Sequence, residues 1–490
     1  MLANSEINFK LVFKIIGRLL FVESASLFFV LFISLAYGEK DGLYFLGTSL
    51  FALLIGTIFI LIGRNAPNRV GKREGSLIVT FTWIVFSLVS ALPFWLSNNI
   101  PSFTDAFFES MSGFTTTGAS ILNNVESLSQ GMLFWRSFTH WLGGLGIIVI
   151  SLAILPVFGV SGTQLFVTEN IGPTQDKIHS KISETAKRLF YIYILLTVAE
   201  TILLLFGHMN LFDAVCHSFG TISTGGFSTK QQNIAYYHSP YIEYVIIFFM
   251  ILSGVNFFHY YYIYKRKFNK IAGNEELKYY FLALLFFSAL VMLVQIDLSH
   301  ITTDALEQKW RESFFAVTSL MTTTGMVTVN YMLWKPITWM IFLVIMIIGA
   351  SAGSTSGGVK FVRIIISAKA CYYEFKKLIH PTAIIPVRYN KHILREDTLT
   401  RVLAFVLLYL VINAIGIIIL AASGMGFMES VGGMISCLGN VGPGLGMVGP
   451  TGNFSHIPEF SKWFLTLVML AGRLELYTVL MLFTPAFWRK

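Results

Sequence analysis

The chain has 490 residues, of which 55% are hydrophobic and only 12% are charged. Soluble domains carry about 25% charged residues, and a single soluble core stops growing near ~250–300 residues, so most of this surface faces something other than water. The net charge is +9, but the basic residues lie in short blocks between apolar runs, which indicates membrane orientation rather than nucleic-acid binding. The three cysteines are scattered, which supports neither a disulfide framework nor a zinc site.

Apolar stretches, taken in chain order, predict about ten transmembrane helices, because a spanning helix needs about 20 mainly apolar residues. The stretches lie at 11–37, 43–63, 76–98, 136–158, 188–207, 240–264, 278–297, 336–371, 399–422 and 461–485. The eighth is interrupted at 349–358 by ten consecutive small residues. Such a run does not hold a stiff helix.

Clusters of basic residues mark every second connection between these stretches. Their members include Arg64, Arg69, Lys72, Arg73, Lys177, Lys181, Lys187, Arg188, Lys265, Arg266, Lys267, Lys270, Lys376, Lys377, Arg388, Lys391, Arg395, Arg401, Arg489 and Lys490. The positive-inside rule then places both termini in the cytoplasm. We expect a multi-pass protein of the cell (inner) membrane.

Four connections on the opposite side, 99–135, 208–239, 298–335 and 423–460, are too long for simple turns. Each begins with a half-length apolar stretch that ends in a tract rich in glycine and threonine or serine. Non-helical backbone at membrane depth is tolerated only where protein buries it or where it lines a water-filled cavity. The sequence therefore predicts four re-entrant segments that form the walls of one pore.

The four tracts share a register. They are Thr115-Thr116-Thr117-Gly118, Ser223-Thr224-Gly225-Gly226, Thr322-Thr323-Thr324-Gly325 and Gly439-Asn440-Val441-Gly442. An acidic residue stands 13 positions before each final glycine; these acids are Asp105, Asp213, Glu312 and Glu429. Acidic residues are favourable at helix N-termini, so we expect each to start a three-turn pore helix. The second tract also aligns through Gly225, but the acid spacing and the trailing Ser228 favour Gly226.

The final glycines are 108, 99 and 117 residues apart, which indicates an internal repeat. Carbonyl oxygens in such tracts can replace the hydration shell of a monovalent cation, and glycine tolerates the backbone angles that this requires. The predicted fold is an all-α polytopic membrane protein with four span–pore-loop–span repeats around one pore and two extra N-terminal spans. The predicted divisions are the leading helices 1–70 and the pore repeats 71–175, 176–272, 273–385 and 386–490.

These tracts and three further motifs resemble the Trk/Ktr/HKT superfamily of potassium and sodium translocators, and most closely its bacterial TrkH type. The further motifs are Trp141-Leu142-Gly143-Gly144-Leu145-Gly146, Gly353-Ser354-Thr355-Ser356-Gly357-Gly358-Val359-Lys360 and Gly472-Arg473-Leu474-Glu475. The resemblance implies potassium uptake, because all four filter positions are glycine. It implies K⁺ as the transported ion and no organic cofactor, with K⁺ bound at Thr116, Thr117, Thr224, Gly225, Thr323, Thr324, Asn440 and Val441. It also implies a homodimer with one pore per protomer and a cytosolic nucleotide-binding ring.

The interrupted eighth stretch has two interpretations that the residues alone leave open: a close-packing kink or a flexible gate below the filter. The resemblance favours a gate made of Gly349, Ala350, Ser351, Ala352, Gly353, Ser354, Thr355, Ser356, Gly357, Gly358, Lys360 and Arg473. Arg473 lies within a span, where a charge is costly and usually faces a cavity or a partner. It stands two positions from Glu475, and residues at that spacing on a helix do not face each other, so each needs its own partner. The resemblance implies that Arg473 resists potassium passage in the closed state.

The sequence leaves two alternative functions to consider. A sodium-coupled or sodium-permeable transporter would share this fold, and a proton-coupling role for His140, Glu200, His217 or His259 stays open beside simple packing. A membrane-embedded hydrolase is suggested only by the literal G-x-S-x-G at Gly349–Gly353, which interrupts a membrane helix and lacks the strand–turn–helix context of a hydrolase elbow. The sequence favours a transporter that is not an enzyme.

Overall fold

The computed structural model describes residues 7–66, 70–153, 175–296, 303–383 and 385–489. The helices are α1 Phe9–Ala36, α2 Gly42–Ile62, α3 Lys72–Leu96, α4 Phe103–Phe114, α5 Gln130–Ala153, α6 Gln175–Phe206, α7 Leu211–Ile222, α8 Pro240–Gly254, α9 Phe257–Tyr264, α10 Asn269–Ala272, α11 Glu275–Gln295, α12 Thr303–Met321, α13 Pro336–Ile348, α14 Phe361–Ile379, α15 Glu396–Ala422, α16 Phe427–Gly439, α17 Glu459–Arg473, α18 Tyr477–Leu480 and α19 Pro485–Trp488. Short 3₁₀ turns are Val125–Ser127, Asn233–Tyr237, Tyr331–Leu333, Gly446–Val448 and Met481–Phe483. The end of the predicted stretch 136–158 and the basic residues Arg69 and Lys490 lie outside the described residues.

Within the described part of the chain, six helices are long and apolar enough to cross a membrane, or up to eight if two bent helix pairs each count as one span. The protein is therefore a mostly helical, multi-pass membrane protein. Two stretches that the sequence treats as continuous spans, 240–264 and 461–485, are not continuous. The chain bends by 90° between α8 and α9 and by 116° after α17.

Local chemistry explains both bends. At the first, the side chain of Asn256 accepts a hydrogen bond from the backbone N–H of Phe258 and so starts a new helix. At the second, Glu475 and Leu476 have φ values of +57° and +47°. Left-handed backbone of this kind cannot continue a right-handed helix, so α17 ends at Arg473. The residues that produce these bends are neither proline nor glycine, and a hydropathy pattern does not register helix caps or left-handed residues.

The interruption predicted in the eighth stretch is confirmed. Helix α13 ends at Ile348 and α14 begins at Phe361. The intervening segment, Gly349–Lys360, is buried for most of its length although it forms no helix. Backbone of this kind inside a membrane protein must be packed against protein or face a water-filled cavity, which makes this segment a feature of the interior.

Pore helices begin as predicted in three of the four loops. Asp105, Asp213 and Glu429 each stand at the third position of α4, α7 and α16, respectively. The expectation that Glu312 starts a helix is wrong, because α12 begins at Thr303. The residue three positions before Glu312 is Lys309, whereas Ser102 and Asn210 occupy the equivalent places and cap α4 and α7 by accepting from the N–H of the acidic residue.

The leading pair α1–α2 is fastened to the helices of the first predicted repeat. The carboxylate of Glu39 accepts from the backbone N–H groups of Gln130 and Gly131 at 2.6 and 2.9 Å, at the start of α5. At the other end of α1, Glu74 of α3 accepts from the N–H of Asn8 at 3.1 Å. Carboxylates at helix N-termini stabilise the first turn, so these contacts hold α1, α3 and α5 in register.

One element departs from an all-α fold. Strands β1 Arg388–Tyr389 and β2 His392–Ile393 form an antiparallel hairpin in the long connection before α15. Its two-residue turn, Asn390-Lys391, has positive φ at both positions, as the favoured hairpin turns require. The side chain of Asn390 accepts from the N–H of Glu275 at 2.8 Å and joins the hairpin to α11.

Candidate filter and gate

The four tracts adopt one backbone conformation. Their second residues, Thr116, Thr224, Thr323 and Asn440, have φ values of +49°, +57°, +56° and +52°, and their final glycines have φ values from +75° to +104°. Gly226, and not Gly225, shares this conformation, in agreement with the acid spacing. A β-branched residue in the left-handed region costs about 1–3 kcal/mol. The surrounding packing therefore maintains the same strain in the three threonine positions.

The tracts contact one another in a closed cycle. A Cβ atom placed on each final glycine would collide with a backbone carbonyl oxygen of the next tract. The contacts run from Gly118 to the Gly225 oxygen, from Gly226 to the Thr324 oxygen, from Gly325 to the Val441 oxygen and from Gly442 to the Thr117 oxygen. Each of these carbonyl oxygens belongs to the residue directly before the final glycine of the tract in which it lies. The four loops thus form a ring around one axis, and only glycine permits this approach.

Hydroxyl groups stiffen the first and third tracts in the same way. Thr115 donates to the carbonyl of Met111 at 2.6 Å and pairs with the hydroxyl of Thr117 at 2.8 Å. Thr322 bonds the carbonyl of Thr318 at 2.7 Å and pairs with Thr324 at 2.8 Å. The side chains of all four tracts are buried. Because α4, α7, α12 and α16 end directly before or within the tracts, their C-terminal partial negative charges lie beside the ring.

A buried ion pair braces two of the tracts, and no motif in the sequence pointed to it. Arg136 of α5 contacts Glu109 of α4 at 2.6 Å, and both side chains are almost fully buried. The Glu109 carboxylate also accepts from Ser120 at 3.0 Å, and Arg136 donates to the carbonyl of Ser228 at 2.9 Å. The pair thereby joins the strands that follow Gly118 and Gly226. The sequence signal that could have revealed this ion pair is the presence of charged residues within predicted membrane segments.

Two of the intramembrane histidines also contact these strands. His217 stands nine residues before Gly226, as Glu109 does before Gly118, and its ring lies 3.0 Å from the hydroxyl of Ser228. His140 hydrogen-bonds the carbonyl of Gly113 at 2.7 Å and stacks on the ring of Phe227 at 4.0 Å. These contacts give both histidines a packing role beside the ring.

The segment 349–358 lies against the ends of the tracts. Thr355 donates to the carbonyl of Ile222 at 3.1 Å, and the backbone N–H of Gly357 donates to the Thr323 hydroxyl at 2.7 Å. A Cβ on Gly357 would collide with the carbonyl of Gly439. The segment therefore contacts the second, third and fourth loops where their pore helices meet the tracts.

Neighbouring elements hold this segment in place. The carboxylate of Glu276 accepts from the N–H of Ala352 at 2.7 Å, and Ser351 donates its N–H to the carbonyl of Gly254 at 3.1 Å. Lys360 donates to the backbone carbonyls of Ser354 and Ser356. The buried ammonium of Lys360 is thus directed at the segment that precedes it.

Arg473, the last residue of α17, reaches the same segment. Its side chain is buried, and Nη1 donates to the carbonyl of Thr355 at 2.5 Å. Among the described residues, its Nε and Nη2 atoms have no hydrogen-bond partner. Glu475 pairs instead with Arg363 at 2.6 Å. The two charges therefore have separate partners, although Glu475 lies beyond the end of α17 and does not share a helix with Arg473 as the sequence suggested.

Comparisons with known proteins show the family to which this chain belongs. A family model described as TrkH, cation transport protein, matches residues 45–490. The chain is 37% identical over 485 residues to the Trk system potassium uptake protein TrkH of Escherichia coli (strain K12), covering 99% of this chain and 100% of the relative. The TrkH protein of Vibrio parahaemolyticus is 34% identical over 491 residues, covering 98% of this chain and 100% of the relative.

A solved structure is similar as well. The crystal structure of the potassium transporter TrkH from Vibrio parahaemolyticus superposes with a TM-score of 0.89 at 32% identity, covering 99% of this chain and 100% of that chain. The resemblance read from the motifs is confirmed, and this chain belongs to the TrkH family of cation transport proteins.

Proposed function

We propose that this chain takes up potassium across the cell membrane by conducting K⁺ through the ring of four tracts. The observation that carries the proposal is the closed cycle of glycine–carbonyl contacts, which surrounds a single axis with backbone oxygens. The relatives' names as potassium uptake proteins support the choice of ion, and family membership supports a transporter rather than an enzyme.

The ring explains how an ion would be bound. An ion that enters the ring sheds water, and backbone carbonyls replace the lost hydration. The negative ends of the pore helices favour a cation at this place. The proposed K⁺ positions are Thr116, Thr117, Thr224, Gly225, Thr323, Thr324, Asn440 and Val441. Stiff strands keep the carbonyls at fixed separations, which favours one cation radius over another.

The gate belongs to the same proposal. Arg473 and the segment 349–358 would close the pathway below the ring, because a buried cation beside the ion path raises the electrostatic cost of a second cation there. Opening would require the Arg473–Thr355 hydrogen bond to break and the segment to move. Lys360 would anchor the segment through its contacts with the carbonyls of Ser354 and Ser356.

The finer architecture is also proposed: ten spans, four pore repeats with the divisions given above, cytoplasmic termini and an inner-membrane location. The shared conformation of the four tracts supports the repeats. A homodimer and a cytosolic nucleotide-binding ring are proposed from the family resemblance.

The hydrolase alternative gains no support from the geometry. Ser351, the serine of the literal G-x-S-x-G, lies between two helices, and its hydroxyl has no hydrogen-bond partner among the described residues. A nucleophile requires a base within hydrogen-bond reach.

Rubidium uptake into liposomes that hold the purified protein tests the proposal, with excess external potassium or sodium as competitor. The Arg473→Ala variant is included so that a closed gate does not mask conduction, and protein-free liposomes give the background. We expect potassium, and not sodium, to abolish uptake. A stimulation of uptake by sodium would favour the sodium-coupled alternative, and uptake at background in both proteins would contradict the proposal.

A further inference from the structure

Asn440 differs from its three equivalents in what its side chain contacts. It occupies the left-handed position that threonine holds in the other tracts, and asparagine adopts that conformation more readily than a β-branched residue does. Its side chain is fully buried. The amide nitrogen Nδ2 donates to the Thr117 hydroxyl at 2.9 Å and to the carbonyl of Met469 at 2.9 Å.

These two acceptors belong to different functional parts. Thr117 lies in the first tract, and its carbonyl is one of the four that form the ring. Met469 is in α17, one helical turn before Arg473. In a regular α-helix the carbonyl of residue i accepts from the N–H of residue i+4, so the Met469 carbonyl is the one that fixes the backbone of Arg473.

The end of α17 lies unusually close to the fourth tract. A Cβ on Gly472 would lie 3.1 Å from the Asn440 side-chain oxygen and would collide with the carbonyl of Leu438. The glycine immediately before Arg473 thus permits contact between the helix end and the backbone directly before the fourth tract.

We propose that Asn440 is a positioning residue for the gate as well as part of the filter: its amide holds the last turn of α17, and hence the Arg473 guanidinium, at a fixed place relative to the first and fourth tracts. The inference rests on the proposed function of Arg473 as the cation of the gate. Through this amide, a change in the ring around Thr117 displaces Arg473, and a displacement of Arg473 alters the ring.

Asn440→Gly tests the inference, because glycine accepts the left-handed backbone and lacks the amide that donates to Met469. Of the two hydrogen bonds that this variant removes, the one to Met469 holds the end of α17. Loss of one ordinary hydrogen bond shifts an equilibrium by about fivefold, so we expect basal rubidium uptake to rise by about that factor. In an Arg473→Ala background the same substitution should add nothing further. The matched control is Asn413→Ala in α15, which also removes a buried amide that donates to a backbone carbonyl, that of Tyr409, at 2.9 Å. The control should leave basal uptake unchanged.

A second measurement does not depend on transport. In an Arg473→Cys variant that also carries Cys371→Ser, the rate of modification by a thiol reagent added from the cytoplasmic side reports the position of the α17 end. We expect Asn440→Gly to change this rate severalfold and Asn413→Ala to leave it unchanged. An unchanged rate would overturn the inference, and so would an uptake increase that is additive with Arg473→Ala. If the rate changes although no variant conducts rubidium, the positioning role stands and the proposed potassium pathway fails.

Discussion

The guanidinium of Arg473 donates a 2.5 Å hydrogen bond to the backbone carbonyl of Thr355, and the hydroxyl of Thr355 donates to the last residue of a pore helix, Ile222, at 3.1 Å. One residue of the interrupted segment therefore touches both the proposed gate cation and the end of the pore helix that precedes the second tract. The segment, the helix end and the ring are thus joined by a continuous set of hydrogen bonds.

Removing the charge at residue 473 is expected to increase basal flux. Arg473→Ala eliminates the buried cation and the bond to Thr355, so the electrostatic barrier below the ring falls. Rubidium uptake into liposomes without added partner should rise severalfold. Arg473→Lys keeps the charge on a shorter side chain and should stay near the parent. Equal uptake in the parent and in Arg473→Ala would exclude Arg473 from the gate.

The carboxylate of Glu276 is expected to keep the segment closed. Glu276→Ala leaves the buried N–H of Ala352 without its acceptor, which costs about 1–3 kcal/mol and loosens the segment. We expect higher basal rubidium uptake for this variant. Glu276→Gln retains an oxygen acceptor at the same place and should restore most of the closed state. If the alanine and glutamine variants leak equally, the charge of Glu276 rather than its hydrogen bond holds the segment.

The Glu109–Arg136 pair is expected to matter for stability. Glu109→Gln leaves a buried guanidinium without its counter-charge, and breaking a buried ion pair costs about 3–5 kcal/mol. The thermal unfolding midpoint in detergent should fall clearly. The exposed pair Arg395–Asp397, whose side chains are 77% and 55% exposed, is the control, because such pairs contribute about 0–1 kcal/mol. A similar small change for Glu109→Gln and Asp397→Asn would contradict the bracing role.

Much of the architecture was predictable because it depends on patterns that repeat along the chain. Hydropathy located the apolar stretches, and the 13-residue spacing from acid to glycine placed three pore helices and the register of Gly226. The spacing failed at Glu312, where the helix already begins at Thr303 and Lys309 does not offer the capping side chain that Ser102 and Asn210 provide. The bends at Asn256 and at Glu475 depend on single capping or left-handed residues that do not alter hydropathy.

The bracing contacts of the candidate site were not predictable. Glu109 and Arg136 are 27 residues apart in the chain, and Asn440 and Thr117 are 323 apart. Their pairing depends on how the loops close into a ring, which no local pattern encodes. Arg473 was identified as an anomaly because a charge within an apolar stretch is visible in the sequence, but its partner Thr355 was not.

The most direct test of the central claim is ion competition in a Gly118→Ser variant. A side chain at Gly118, where φ is +80°, would collide with the carbonyl of Gly225 in the ring. Gly38→Ser is the matched control, because φ there is +70° and no described atom lies within 4 Å of a Cβ. With rubidium as the tracer, we predict that sodium competes with uptake in Gly118→Ser but not in Gly38→Ser or the parent. Unchanged preference for potassium in Gly118→Ser would contradict the assignment of the four tracts as the selectivity filter.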